Sequence, residues 1–206
     1  MPGTRATATL RPPVGSSTPS PAPKPWKRER SETGPDLLIA RARFDWVENP
    51  RTRQTLRRLV LDVADWVNVV ALTPERRLVV VRQYRFGTGT VTTEIPGGVV
   101  DLGEPPEAAA RRELREETGY TAESWRALGP VEPNPAFQNN LCHHYLAEGA
   151  RPTHALELDP GEDIVVDTLA LEEVRDHVRN GSIRHSLVIS ALSRVLDLRA
   201  APLVER

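Results

Sequence analysis

From Leu37 onward the chain alternates apolar and polar positions in short runs. Leu37 to Trp46 and Thr55 to Asp62 each follow the period of two expected of a strand, and Asn49 and Pro50 between them supply turn chemistry. A β-hairpin is therefore predicted over residues 36–62. Trp66 to Leu72 and Leu78 to Tyr84 are nearly all Val and Leu, which predicts a strand pair central in a sheet, turned by Thr73, Pro74 and Glu75. Further strands are expected at 124–131, 140–147 and 164–170. A helix is expected in the middle, from Pro105 to Thr118. Two more follow near the end, one from about Leu171 to Gly181 and one from His185 to Leu198 with Leu187, Ala191, Val195 and Leu198 on one stripe. No internal repeat interrupts this order. Strands followed by helices predict an α/β (α+β) fold, a mixed β-sheet sandwiched between α-helices, with an antiparallel strand extension before it.

The first 35 residues do not share the pattern. They hold eight of the 19 prolines among Ser, Thr, Ala and Gly, and such a segment cannot bury enough surface to offset its chain entropy. Residues 1–35 are expected to be a disordered tail. Arg5, Arg11, Lys24 and Lys27 precede the first acidic residue, Glu29, which faintly resembles an organelle transit peptide, but the prolines argue against its amphipathic helix. The hairpin 36–62 and a domain over 63–200 then divide the remainder.

Composition narrows the function classes. The 27 basic and 28 acidic side chains give a net charge of -1, which provides no overall electrostatic footprint for nucleic acid or an anionic membrane. No apolar run reaches the ~18 residues of a membrane span, so a soluble protein is expected. The single Cys142 forms no internal disulfide, and a reducing, cytoplasmic setting is the simpler expectation. Cys142 reads as a small core residue, because no nucleophile motif surrounds it.

The middle helix carries the chemistry. Glu113, Glu116 and Glu117 lie three and four apart, within an arc of roughly 100° on one face. Like charges so placed repel, and a hard divalent cation such as Mg²⁺, with Mn²⁺ as a substitute, would compensate them. The competing reading is a solvated face on which Arg111, Arg112 and Arg115 pair with the same glutamates. The context separates the two. Gly98, five residues, Glu104, seven residues, then Arg112-Glu113-Leu114-Arg115-Glu116-Glu117-Thr118-Gly119-Tyr120 resembles the Nudix box G-x5-E-x7-R-E-U-x-E-E-x-G-U at every position, where U is a bulky apolar or aromatic residue. A chance match in one chain is on the order of one in ten million.

The order and spacing of Leu78–Phe86 (LVVVRQYRF), Glu94–Gly98 (EIPGG) and the box are similar to the ADP-ribose pyrophosphatase branch of the Nudix hydrolases, with Pro135 fifteen residues beyond Tyr120 as a further likeness. The resemblance implies hydrolysis of the pyrophosphate bond of a nucleoside diphosphate linked to another group, with ADP-ribose the leading substrate. Another nucleotide sugar, a dinucleotide or a nucleoside triphosphate stays open, as does a nucleotide-binding regulator that does not cleave. It implies Glu113, Glu116 and Glu117 as metal ligands, a main-chain oxygen near Gly98 as another, and Glu104, Arg112 and Gly119 as structural support. It also implies a homodimer, with the strands over 37–62 pairing between copies.

The general base is either Glu116 or a carboxylate from the acidic loop Glu157, Asp159, Glu162 and Asp163. Glu162 best matches the loop acid of related pyrophosphatases, which adds it to the metal ligands. Arg82, Arg85 and Glu94 are candidate substrate contacts through planar guanidinium forks and a carboxylate acceptor. The tract Asn134 to Tyr145 could shape a sugar or nucleoside pocket. His143 and His144 alternate across a strand, so at most one faces any pocket, and neither is assigned a catalytic role.

Overall fold

In the computed structural model, which describes residues 22–199, the chain forms eleven strands and three helices among those residues. Three strands stand apart from the main sheet: β1 (Lys27–Asp36), β2 (Arg41–Glu48) and β3 (Thr55–Asp62), antiparallel in that order. The expected hairpin is thus two strands, β2 and β3, of a three-stranded sheet. The tail boundary is corrected as well. Residues 27–35 are not part of a structureless tail but an edge strand, and residues 1–21 lie outside the described residues. The strand escapes the sequence pattern because charges and cation–π contacts hold it, rather than apolar alternation. Arg30 lies 3.5 Å from the ring centre of Trp46 on β2, and Ser31 donates to the buried Asp45 at 2.6 Å.

The main sheet contains β4 (Trp66–Leu72), β5 (Arg77–Arg85), β6 (Thr90–Glu94), β8 (Ser124–Val131), β9 (Cys142–Glu148) and β11 (Ile164–Ala170), ordered β11-β5-β4-β9-β8 with β6 beside β5. Its Val- and Leu-rich centre, β4, runs parallel to β9, and the other pairs are antiparallel. Two-residue strands β7 (Tyr120–Thr121) and β10 (Arg151–Pro152) form a separate ribbon.

Each face of the sheet packs helices, as the pattern predicts. On one side Val67, Val69, Ala71, Val79 and Ala147 meet Ala109, Ala110 and Leu114 of α1 (Pro106–Thr118). On the other, Val70, Leu72, Leu78, Val80 and Leu146 meet Val174 of α2 (Leu171–Arg179) and Val188, Ala191 and Leu192 of α3 (Ser186–Ser193). Each fully buried Val or Leu contributes about 1.5–3 kcal/mol of transfer free energy. The third helix ends at Ser193, short of the expected Leu198, and Arg194 at its C-cap turns its guanidinium onto the carbonyls of Leu128 and Pro130.

One irregularity places the site. Strands β4 and β5 pair only at Leu72 and Leu78 and then part. Into the gap comes the segment 90–98: β6 pairs with β5, Glu94 opposite Val81, while Pro96 O and Gly98 O accept the N–H groups of Val69 and Val67 at 2.8 and 2.9 Å. Strand β6 is absent from the sequence reading because it is short and rich in Thr rather than apolar alternation.

His144 is buried on the α3 side, with Nε2 3.3 Å from Ser190 Oγ and Nδ1 3.8 Å from Cys142 Sγ. Burial, with Arg194 and His143 adding repulsion, pushes its imidazole down to about 4. Below an unfolded value of ~6.5 the unfolded chain takes a proton that the native state refuses, so this contribution to stability falls as pH drops from about 7 toward 4. Urea unfolding at pH 7 and pH 5 should show wild type losing about 2 kcal/mol that a His144→Gln variant keeps. Equal losses in both proteins would refute the assignment.

Candidate active site

Helix α1 is set by Pro105 and Pro106 at its start, Glu107 in its first turn, and Gly119 at φ 73° after its last residue. Gly119 N–H donates to Arg115 O at 2.8 Å, and Gly119 O accepts from the N–H groups of Thr153 and His154 at 2.9 and 3.0 Å. A Cβ there would collide with the His154 carbonyl oxygen, besides straining the left-handed backbone. A Gly119→Ala variant should lose about 2–4 kcal/mol, seen as a drop of several degrees in the thermal midpoint; an unchanged midpoint would contradict this packing.

Arg112 organises the approach to the helix. Its Nε and Nη2 donate to the two carboxylate oxygens of Glu104 at 3.1 and 3.0 Å, and Nη2 also donates to Val99 O at 3.0 Å. The bond to Glu104 raises the guanidinium and lowers the carboxyl of Glu104 from their ordinary values. Its Nη1 reaches Glu113 at 2.8 Å and Glu116 at 3.2 Å. The charged-face reading and the box reading therefore meet in one residue: Arg112 binds the loop on one side and the glutamates on the other.

The glutamates differ by depth. Glu113 is buried, and desolvation pushes its carboxyl up to about 6 against the opposing pull of Arg112. Glu117 lies deeper. Burial pushes it up to about 8, against a hydrogen bond from Gly97 N–H at 2.9 Å, while Glu113 and Glu162 add repulsion. Glu116 is half-buried, and both its oxygens are engaged, one by Arg112 and one by Arg115 at 2.9 Å. Gly98 stands directly over this group: a Cβ there would lie 2.5 Å from Glu113 Oε1. Its carbonyl oxygen takes Val67 N–H and keeps a second lone pair.

The donor set fits a hard dication. Two carboxylates out of water with one N–H donor and one arginine between them are under-compensated, and the glycine leaves the adjoining space clear of side chain. Among the described residues no three His, Cys, Asp or Glu side chains stand together in ion-holding geometry. The cause is visible in the bonds above, since Glu113 and Glu116 lean onto Arg112.

The other candidates divide by face. Arg85 and Glu94 form a two-bond fork at 2.9 and 2.8 Å, and Thr92 donates to Glu94 at 2.6 Å. Burial would raise Glu94, yet this fork and Thr92 hold its carboxyl below the ordinary range. The fork in turn raises Arg85, with Glu117 and Glu162 also acting on it, so Arg85, Glu94, Glu117 and Glu162 share one electrostatic neighbourhood. Arg82 is not brought to it. Three residues from Arg85 on a strand, it projects from the other face and meets Asp167 at 3.4 Å. Within 134–145, His143 bonds Asp65 at 2.9 Å and Asn139 bonds Asp62 at 2.7 Å, so this tract ties strands together.

Two participants and one bond, that of Arg115 to Glu157, carry no signal in the sequence alone. Thr92 lies on the unrecognised β6. Asn68, whose buried Nδ2 has no partner, presses its Oδ1 toward Gly97 from the middle of an apolar strand. Arg115 fills the unspecified position of the box and reaches Glu157 at 3.0 Å.

A family model described as NUDIX domain matches residues 64–189. A methanol dehydrogenase activator of Bacillus methanolicus is 33% identical over 164 residues, covering 79% of this chain and 88% of that protein. An ADP-ribose pyrophosphatase of Bacillus subtilis (strain 168) is 35% identical over 156 residues, covering 75% and 83%. Among solved structures, an ADP compounds hydrolase superposes with a TM-score of 0.72 over 85% of this chain and 95% of its own, at 22% identity, a likeness of fold.

Proposed function

The chain belongs to the NUDIX domain family and is a pyrophosphohydrolase of the ADP-ribose pyrophosphatase type, and from that premise we propose that it cleaves ADP-ribose to AMP and ribose 5-phosphate with Mg²⁺. The observation that carries this reading is Glu117, a buried carboxylate with only a main-chain N–H to bind it, on which the charges of Glu113 and Glu162 add repulsion.

In this reading Glu113, Glu116, Glu117, Glu162 and the free lone pair of Gly98 O hold Mg²⁺ or Mn²⁺. When bound, the ion neutralises phosphoryl charge and acidifies water. The rest falls to the chain's own groups. Arg112, anchored on Glu104 and Val99 O, keeps the loop and the glutamate face in register. Arg85 exchanges part of its fork on Glu94 for phosphate oxygens of the substrate, and the carboxylate so freed accepts a ribose hydroxyl.

Glu162 takes the proton of the attacking water on a carboxylate oxygen as the water oxygen bonds to phosphorus and the bridging P–O bond breaks. It is favoured over Glu116 because both oxygens of Glu116 are already held by arginines, whereas Glu162 Oε2 takes only the Asp159 N–H, at 3.0 Å. Arg82, on the opposite face, has no part in it.

The N-terminal sheet is the proposed dimerisation element. Its support is an edge strand exposed along nearly its whole length and a hairpin tip on which Leu38 and Ile39 are exposed. The free, buried Cys142 supports a cytoplasmic setting, and no helix among the described residues is long and apolar enough to cross a membrane.

A phosphate-release screen tests the substrate. ADP-ribose, other nucleotide sugars, diadenosine polyphosphates and nucleoside triphosphates are each incubated with Mg²⁺ or Mn²⁺ and coupled to a phosphatase. Cleavage of ADP-ribose above the others is expected. Cleavage of triphosphates but not ADP-ribose would move the substrate elsewhere in the family, and cleavage of none by folded protein would defeat the enzymatic reading.

A further inference from the structure

The loop that carries Glu162 is fastened to the glutamate helix at its entry. Thr153 and His154 donate to Gly119 O, three residues further along the loop Glu157 N–H donates to Glu116 O at 2.9 Å, and the side chain of Glu157 accepts from Arg115 Nη1 at 3.0 Å. Arg115 uses its other nitrogen, Nη2, on Glu116. Beyond Glu157 the loop closes on itself, with Glu162 N–H donating to Asp159 O and Asp159 N–H to Glu162 Oε2, before β11 begins at Ile164. Glu157 is thus the last residue of the loop with bonds to α1 before the turn that presents Glu162.

We propose that Glu157 is a positioning residue for the hydrolysis: through Arg115 and its own N–H it ties the loop to α1 and fixes where Glu162 meets the Glu113–Glu117 face. This rests on the role given to Glu162 above. Helix and loop then move as one body, and the carboxylate from the loop arrives at a set distance from those of the helix. A small misplacement of a proton acceptor costs turnover while leaving substrate affinity intact. The Arg115–Glu157 pair is partly exposed, so its loss weakens the tether and leaves the fold in place.

A double-mutant cycle on ADP-ribose hydrolysis, using Glu157→Gln, Glu162→Gln and the double variant, tests the proposal. Gln keeps the size of the side chain and the main-chain bond but removes the charge. Glu157→Gln should lower kcat about five-fold with KM unchanged, and the double variant should be no slower than Glu162→Gln alone. Hydrogen exchange over 156–163 should quicken in Glu157→Gln while that of 106–118 stays as in wild type. Wild-type kcat, a loss that multiplies with that of Glu162→Gln, or unchanged exchange in the loop would each overturn the proposal. Should the wild-type protein cleave no substrate in the screen above, the catalytic reading fails by itself, and the exchange comparison still decides the tether.

Discussion

Replacing Glu117 by Gln is expected to lower turnover by about 10³-fold or more and, in the metal-free protein, to raise thermal stability. Both effects come from one fact. Glu117 is almost wholly buried with a single N–H donor, so its charge is costly by itself and useful only when a cation shares it. Gln has the same shape and still accepts the Gly97 N–H, but carries no charge to balance. Since the folded carboxyl is raised to about 8, its cost is absent below the unfolded value of ~4.5 and grows as pH rises toward 8. The variant's advantage over metal-free wild type should therefore be small near pH 5 and largest near pH 8. Added Mg²⁺ or Mn²⁺ should stabilise wild type and leave the variant nearly unmoved. Calorimetric melting curves at the two pH values, with and without metal, check this. A metal-free variant less stable than wild type at pH 8 would show that Glu117 is a compensated structural acid.

Glu162→Gln should reduce kcat by about 10²-fold or more with no loss in melting temperature. The side chain is exposed and its one structural bond, from Asp159 N–H, survives in the amide. The pH profile separates the roles left open between Glu162 and Glu116. A base contributes an ascending acid limb to kcat/KM, and that limb should flatten in Glu162→Gln. Wild-type turnover would remove Glu162 from the mechanism and return the role to Glu116.

Much of the site can be read from sequence because it is local. The spacing of Glu113, Glu116 and Glu117 on one helix, and of Gly98, Glu104 and Arg112 before it, needs only helical geometry and a short loop. The core strands were legible for the same reason: β4 and β5 are buried on both faces and read as continuous Val and Leu. What escaped depends on partners distant along the chain. Strand β1 is held by Arg30 on Trp46 and Ser31 on Asp45, contacts that leave no apolar alternation in β1 itself. Arg82 and Arg85 must face opposite ways by strand parity, but which of them meets the glutamates depends on where α1 packs. The bond between Arg115 and Glu157 spans 42 positions, and neither residue type marks it.

The segment between the parted strands has a consequence for how this sequence can change. Surface loops ordinarily accept added or lost residues at little cost. Here Glu94 is fixed in register opposite Val81, and only four residues later Gly98 is fixed against Val67. One residue more or fewer between them would turn Glu94 to the far side of the sheet or pull Gly98 off Glu113. Length in this stretch is therefore as constrained as the identity of any glutamate, and relatives that keep this chemistry should vary in the hairpin at 86–89 long before they vary at 95–97.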